Sequence, residues 1–177
     1  MIFGIASKML YLCNCKRTSN ILIIMKHTKN LVITNDLTIR LSDHFTLHEM
    51  VSSGTALRFG IDNTPAPEVI ENLRSLCRAV LEPLRLRYGK IIITSGYRCR
   101  EVNRLVGGSP YSQHLRGEAA DIYIPSREKA KKYFEFIRDN TDFDQLIREP
   151  IVRKKNDYPR WLHVSYAAHR PNRHEVI

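Results

Sequence analysis

Two histidines and one aspartate have the side chains and the spacing of a metal site. His114 and Asp121 belong to one stretch, residues 112–121, and His163 lies in a second stretch, residues 161–165. Neutral imidazole and carboxylate oxygen are both zinc ligands, and three protein ligands with a fourth position left to water are typical of a catalytic zinc site. These residue types predict one Zn²⁺ ion held by His114, Asp121 and His163.

Strand alternation gives a reason for these residues to converge. In residues 119–124 and 161–166, Asp121 and His163 fall on the face opposite the mainly apolar even-numbered residues. If the two strands are neighbours in one sheet, both side chains face the same ion, and Gly117 lets the loop turn tightly enough for His114 to join them. Bound zinc lowers the pKa of a water ligand to about 7, so the predicted chemistry is hydrolysis.

The surrounding pattern predicts the elements that position these residues. Apolar residues recur at helical spacing through residues 67–88, where Pro83 should kink or interrupt the helix and Gly89 should end it. Further helices are expected after Thr46, at 100–106 and at 126–140, with strands at 90–94, 119–124, 144–148 and 161–166. We therefore predict an α+β fold, a single domain with a mostly antiparallel sheet packed against helices.

The chain divides into a basic leader at residues 1–38, a domain at 39–168 and a polar C-terminal tail at 169–177. We expect the leader to be disordered or to reflect an over-extended start. It lacks the features of a secretory signal and the run of about 20 apolar residues that a membrane span needs. No membrane span is therefore expected.

The net charge of the chain indicates which classes of partner it could bind. The net charge of +10 and the pI of about 9.7 favour an anionic partner: nucleic acid, a membrane surface or an acidic polymer such as a bacterial cell wall. Half of that charge lies in the leader and no nucleic-acid-binding motif is present, so we expect no nucleic acid partner.

The four cysteines form no C-x-x-C pair, which favours free thiols over a cysteine zinc site or a disulfide framework.

Residues 42–168 resemble the zinc D-alanyl-D-alanine carboxypeptidases and related peptidoglycan peptidases, in particular their phage and bacterial branch. This family shares a fold with the Hedgehog signalling domain. The resemblance rests on four motifs: S-G-Y-R at 95–98, V-G-G-S at 106–109, S-x-H-x-x-G-x-A-x-D at 112–121 and W-x-H at 161–163. It implies the three zinc ligands named above. It also implies that Arg98 stabilises the developing oxyanion or anchors a carboxylate, and that Ser112 contacts the substrate. Trp161 is predicted to form a wall of the substrate site.

One position departs from the family pattern. Many relatives place an acidic general base three residues before the last histidine, where this chain has Arg160, which cannot accept a proton. Glu149, at the end of the preceding predicted strand, is the best substitute, although a solvated loop acid is an equal interpretation.

The function implied is zinc-dependent hydrolysis of peptide bonds in peptidoglycan by a monomer, acting as a carboxypeptidase or an endopeptidase. The alternative is a catalytically silent zinc-binding module that recognises peptidoglycan or a protein partner. The sequence is compatible with two locations of the protein: the cytoplasm before its release, or the cell envelope or exterior.

Overall fold

The structure, a computed structural model, describes residues 23–27, 30–34, 39–150 and 158–177. Strands β1 (Ile23–His27) and β2 (Asn30–Thr34) pair antiparallel as a separate two-stranded sheet within the predicted leader. The rest of the leader lies outside the described residues, so its predicted disorder or over-extended start stays a prediction.

The N-terminal half of the domain is helical. Helix α1 (Leu47–Val51) begins at the Thr46 capping box, as predicted, and α2 (Gly54–Phe59) follows without having been predicted. The predicted helix at 67–88 forms as α3 (Pro67–Leu76), a π-helical turn (Cys77–Leu81) and α4 (Glu82–Tyr88). Pro83 has no N–H to donate, and the interruption expected there takes the form of this wider turn just before it. Gly89, with a φ of 78°, ends α4 as predicted.

The central sheet has five strands in the order β3-β4-β6-β5-β7. They are β3 (Ile93–Ser95), β4 (Ala119–Tyr123), β5 (Gln145–Glu149), β6 (Trp161–Ser165) and β7 (Glu175–Val176). All neighbours are antiparallel except β5 and β7, so the predicted mostly antiparallel α+β fold is confirmed. The prediction of a buried strand at 90–94 was wrong, because β3 is a short edge strand and Ile92 just before it is 53% exposed.

The sheet separates the hydrophobic core from the candidate site. Ile122, Leu162 and Val164 are fully buried and pack with residues of the helices. The remaining helical segments are α5 (Arg100–Leu105), a 3₁₀ turn (Gln113–Arg116) and α6 (Arg127–Asn140). Asp121 and His163 lie on the opposite face of their strands from these core residues, as the alternation predicts.

The C-terminal tail packs against the sheet. Its residues 175–176 form β7, and Arg170 and Arg173 both donate hydrogen bonds to the buried carboxylate of Asp144, just before β5. This clamp fixes the tail beside the strand that ends at Glu149.

Cys77 and Cys99 are free thiols, as predicted, whereas Cys13 and Cys15 lie outside the described residues. Across the described part of the chain, no helix has the length and apolar character to cross a membrane.

Candidate metal centre

Three side chains from three segments converge at the middle of the sheet. Asp121 on β4 lies directly opposite His163 on β6, and His163 Nδ1 is 3.0 Å from Asp121 Oδ1. The 3₁₀ turn brings in His114, whose Nε2 is 3.2 Å from His163 Nδ1 and 3.2 Å from Asp121 Oδ1. The structure thus brings together the three residues that the sequence predicts as metal ligands.

The local backbone positions the imidazole of His114 in one orientation. Gly117 ends the 3₁₀ turn in the left-handed region with a φ of 70°, and a Cβ there would lie 2.7 Å from the carbonyl oxygen of Val69. His114 Nδ1 lies 2.6 Å from the carbonyl oxygen of Gly96. Since a carbonyl only accepts, this contact assigns the proton to Nδ1 and leaves the Nε2 lone pair facing the cluster.

The electrostatic environment favours the protonation states that a metal requires. Burial lowers the pKa of His114 below its ordinary value, and the nearby Asp121 only partly opposes this effect. Burial alone would raise the pKa of the Asp121 carboxyl, but the adjacent imidazoles of His114 and His163 outweigh it and lower that pKa. At neutral pH, His114 is therefore a neutral imidazole and Asp121 a carboxylate, which are the ligand forms that bind a divalent cation.

The separations between the ligand atoms also fit a metal ion. Zinc bonds to nitrogen and oxygen at tetrahedral angles place neighbouring ligand atoms about 3.3–3.5 Å apart. The observed separations of 3.0–3.2 Å lie within a few tenths of an ångström of that range. Among the described residues, this is the group of His, Cys, Asp and Glu side chains whose ligand atoms all lie within 4.8 Å of one another. The donor set and its spacing fit one divalent cation.

Arg98 contacts the aspartate of this group. Its Nη2 donates to Asp121 Oδ2, and its Nε donates to Ser95 Oγ at 2.6 Å. Because Oδ2 is engaged by the guanidinium, Oδ1 is the oxygen that faces the two imidazoles. The predicted substrate-facing arginine therefore also orients a candidate metal ligand, and it lines the cleft above the sheet.

Glu149, the predicted substitute base, lies in the same cleft as the metal group. It pairs with Trp161 across β5 and β6, while its neighbour Ile147 pairs with His163. Trp161 Nε1 donates to Glu149 Oε2 at 2.6 Å, and within the described residues Oε1 has no hydrogen-bond partner. Both residues line the cleft, so the structure brings Glu149 to the metal face of the sheet. Arg160 is exposed just before β6.

Ser112, predicted to touch the substrate, caps the 3₁₀ turn. Its Oγ accepts the backbone N–H of His114 at 3.4 Å, and the residue lines the cleft. Arg58, Phe59 and Tyr111 also line the cleft but were not predicted to, because these exposed residues follow no periodic pattern.

Comparison with known proteins agrees with this geometry. The family model described as Peptidase M15 matches residues 43–164, a range that contains the three candidate ligands, Arg98 and Glu149. No curated protein matches the chain at a significant level. The family match covers more than half of the chain and confirms the predicted resemblance to zinc peptidases of this type. The chain therefore belongs to the Peptidase M15 family.

Proposed function

We propose that the protein is a zinc metallopeptidase that hydrolyses peptide bonds in bacterial cell-wall peptidoglycan. Membership of the Peptidase M15 family supports a metallopeptidase. The observation that carries the proposal is the triangle formed by His114 Nε2, Asp121 Oδ1 and His163 Nδ1, with Glu149 on the adjoining strand in the same cleft. When bound, zinc supplies a Lewis acid and lowers the pKa of a water molecule.

The chain's own side chains divide the remaining chemical tasks. Glu149 accepts a proton from the attacking water and returns it to the leaving amine, a role for which Oε1 stays available while Trp161 holds Oε2. Arg98 orients Asp121 and stabilises negative charge as it develops on the substrate oxygen. Ser112 and Trp161 form parts of the wall that contacts the substrate.

The charge of the cleft supports an acidic substrate. Five arginines line the cleft but only two acidic residues do, Asp121 and Glu149. Glu118 and Asp144 pair with three of these arginines and reduce the positive charge, and the charge that remains raises the local concentration of anionic ligands. This is consistent with peptides that carry free carboxylates, and we propose that a monomer acts on them without a nucleic acid or membrane partner.

A catalytically silent zinc-binding module is the second candidate, favoured by Arg160 at the position where many relatives carry an acid. Incubating purified peptidoglycan with the zinc-loaded protein separates the two, with soluble products identified by mass spectrometry. We expect Glu149→Gln to retain zinc and to lower the hydrolysis rate by about 10²–10⁴-fold. The control Glu71→Gln, at an exposed position on α3, should match wild type.

Two outcomes would count against these assignments. Wild-type activity in zinc-loaded Glu149→Gln would remove Glu149 from the mechanism. Failure of the zinc-loaded wild type to release any product would favour the silent module.

A further inference from the structure

The floor of the cleft continues past the metal group on both sides. Ser95, Asp121, His163 and Ile147 are in register across β3, β4, β6 and β5, and all four line the cleft. Neighbouring strands lie about 4.8 Å apart, so this row spans about 14 Å with the candidate ligands on its two middle strands. An extended peptide advances about 3.3 Å per residue, so about four residues fit across the row.

Both sides of this row are lined by exposed side chains. Tyr97 N–H donates to the carbonyl oxygen of Met50 at 2.7 Å, which places the end of α1, three residues before α2 begins, beside the segment that leaves β3. On that side Phe59 of α2 is 56% exposed. On the β5 side, the side chains of Arg170 and Arg173 are 35% and 49% exposed.

The size of the cleft fits a chain better than a single terminal residue. Its volume is about 1360 Å³. Pockets that enclose a small ligand have volumes of about 300–1,000 Å³ and bury most of the ligand surface. A cleft that is larger than this range and has exposed side chains on both sides of the metal group suits a substrate that continues in both directions.

Arg58 adds a charged contact to the part of the cleft wall that α2 forms. It lies on α2, is exposed and lines the cleft, and its guanidinium is 5.6 Å from the centre of the Phe59 ring. Among the described residues it has no acidic partner, unlike Arg98, Arg170 and Arg173. A guanidinium without an acidic partner beside an apolar ring suits a substrate carboxylate.

We infer that the protein is an endopeptidase, which hydrolyses an internal amide bond of an acidic peptide lying across the sheet, with a carboxylate of the β3-side half at Arg58. This inference rests on the proposed function. The amide C–N bond breaks and a water oxygen bonds to the carbonyl carbon, while one water proton passes through Glu149 to the leaving nitrogen. The products are a peptide with a new carboxylate and a peptide with a new amine.

The test is the size of the products released from purified peptidoglycan by the zinc-loaded full chain, resolved by liquid chromatography and mass spectrometry. We expect peptide fragments, with free amino acids at less than about a tenth of the bonds cut. Free single amino acids as the sole product would overturn internal cleavage while leaving a zinc peptidase intact. The absence of any product would overturn the proposed function and this inference with it.

A matched pair of variants tests the Arg58 contact. Arg58→Gln should raise KM for peptidoglycan, measured from the rate of fragment release, about five- to tenfold with kcat little changed, because it removes binding that is equal in the ground and transition states. Arg78→Gln removes the same charge from an exposed position outside the cleft and should leave KM within about twofold of wild type. An unchanged KM in Arg58→Gln, or an equal rise in both variants, would overturn the carboxylate contact.

Discussion

Replacing Asp144 with alanine is expected to destabilise the fold strongly, because one carboxylate holds the C-terminal tail to the sheet. Asp144 is fully buried and accepts hydrogen bonds from Arg170, Arg173 and Gln113. It lies just before β5, the strand that ends at Glu149. A loss of this clamp therefore reaches the proposed active site as well as the tail.

The size of the effect follows from the exposure of the partners. Removing one member of a buried ion pair costs about 3–5 kcal/mol when the remaining charge stays buried. Here Arg170 and Arg173 are partly exposed and regain water, which places Asp144→Ala near the lower end, at about 3 kcal/mol. For a domain of this size, 1 kcal/mol corresponds to about 2–4 °C, so Tm should fall by about 6–12 °C.

Urea and thermal denaturation of the full chain measure this change. Asp139→Ala is the matched control, since it removes an aspartate that pairs with Arg138 at the exposed end of α6, and its unfolding midpoint should match that of wild type. An Asp144→Ala midpoint indistinguishable from that of Asp139→Ala would refute the reasoning.

The same carboxylate predicts how stability depends on pH. Burial alone would raise the pKa of Asp144, but the hydrogen bonds from Arg170 and Arg173 outweigh burial and depress it far below its ordinary value. A depressed carboxyl pKa stabilises the fold above the ordinary value of about 4, and this stabilisation is lost as pH falls toward the folded-state pKa. The difference in unfolding free energy between wild type and Asp144→Asn should therefore shrink below about pH 4, and a constant difference down to about pH 2 would contradict this.

Three further variants or conditions test the metal face of the sheet. Gly96→Ala should destabilise by about 3 kcal/mol in urea, because its Cβ would lie 2.3 Å from a backbone carbonyl oxygen, whereas Gly54→Ala, with nothing within 4 Å, should be neutral. Zinc at about 100 times its Kd should raise the free energy of unfolding of wild type by about 2.7 kcal/mol, as measured by thermal melts with and without chelator. The control His48→Ala should gain the same amount, whereas His163→Ala should gain nothing. Arg98→Lys should weaken zinc affinity about tenfold in a chelator competition, because an ammonium cannot bridge Asp121 and Ser95 as the guanidinium does. Equal zinc affinities of the variant and wild type would contradict this.

Period-two alternation carried most of the site prediction. It placed Asp121 and His163 opposite their core neighbours, and a strand with one face buried has little freedom to shift its register. The pairing of β4 with β6 was not predictable from the pattern, because α6 and β5 separate them along the chain. The approach of His114 followed from Gly117, whose left-handed backbone closes the 3₁₀ turn.

The shortest elements of the fold were not predictable from the sequence. Helix α2 has six residues and buries only Ala56, so it shows no apolar stripe, and β7 has two residues. The β-branched run at 90–94 resembled a buried strand, yet its position at the sheet edge depends on tertiary packing. The position of Glu149 was equally open, and its pairing with Trp161 is what brings it into the cleft.

The X-ray absorption spectrum of the zinc-loaded full chain tests the central claim most directly, because it reports the atoms bound to the ion. The account predicts one zinc with two imidazole nitrogens and oxygen ligands at about 2.0–2.2 Å, and loss of one imidazole in His163→Ala. A zinc–sulfur distance of about 2.3 Å, or a spectrum unchanged in His163→Ala, would contradict it.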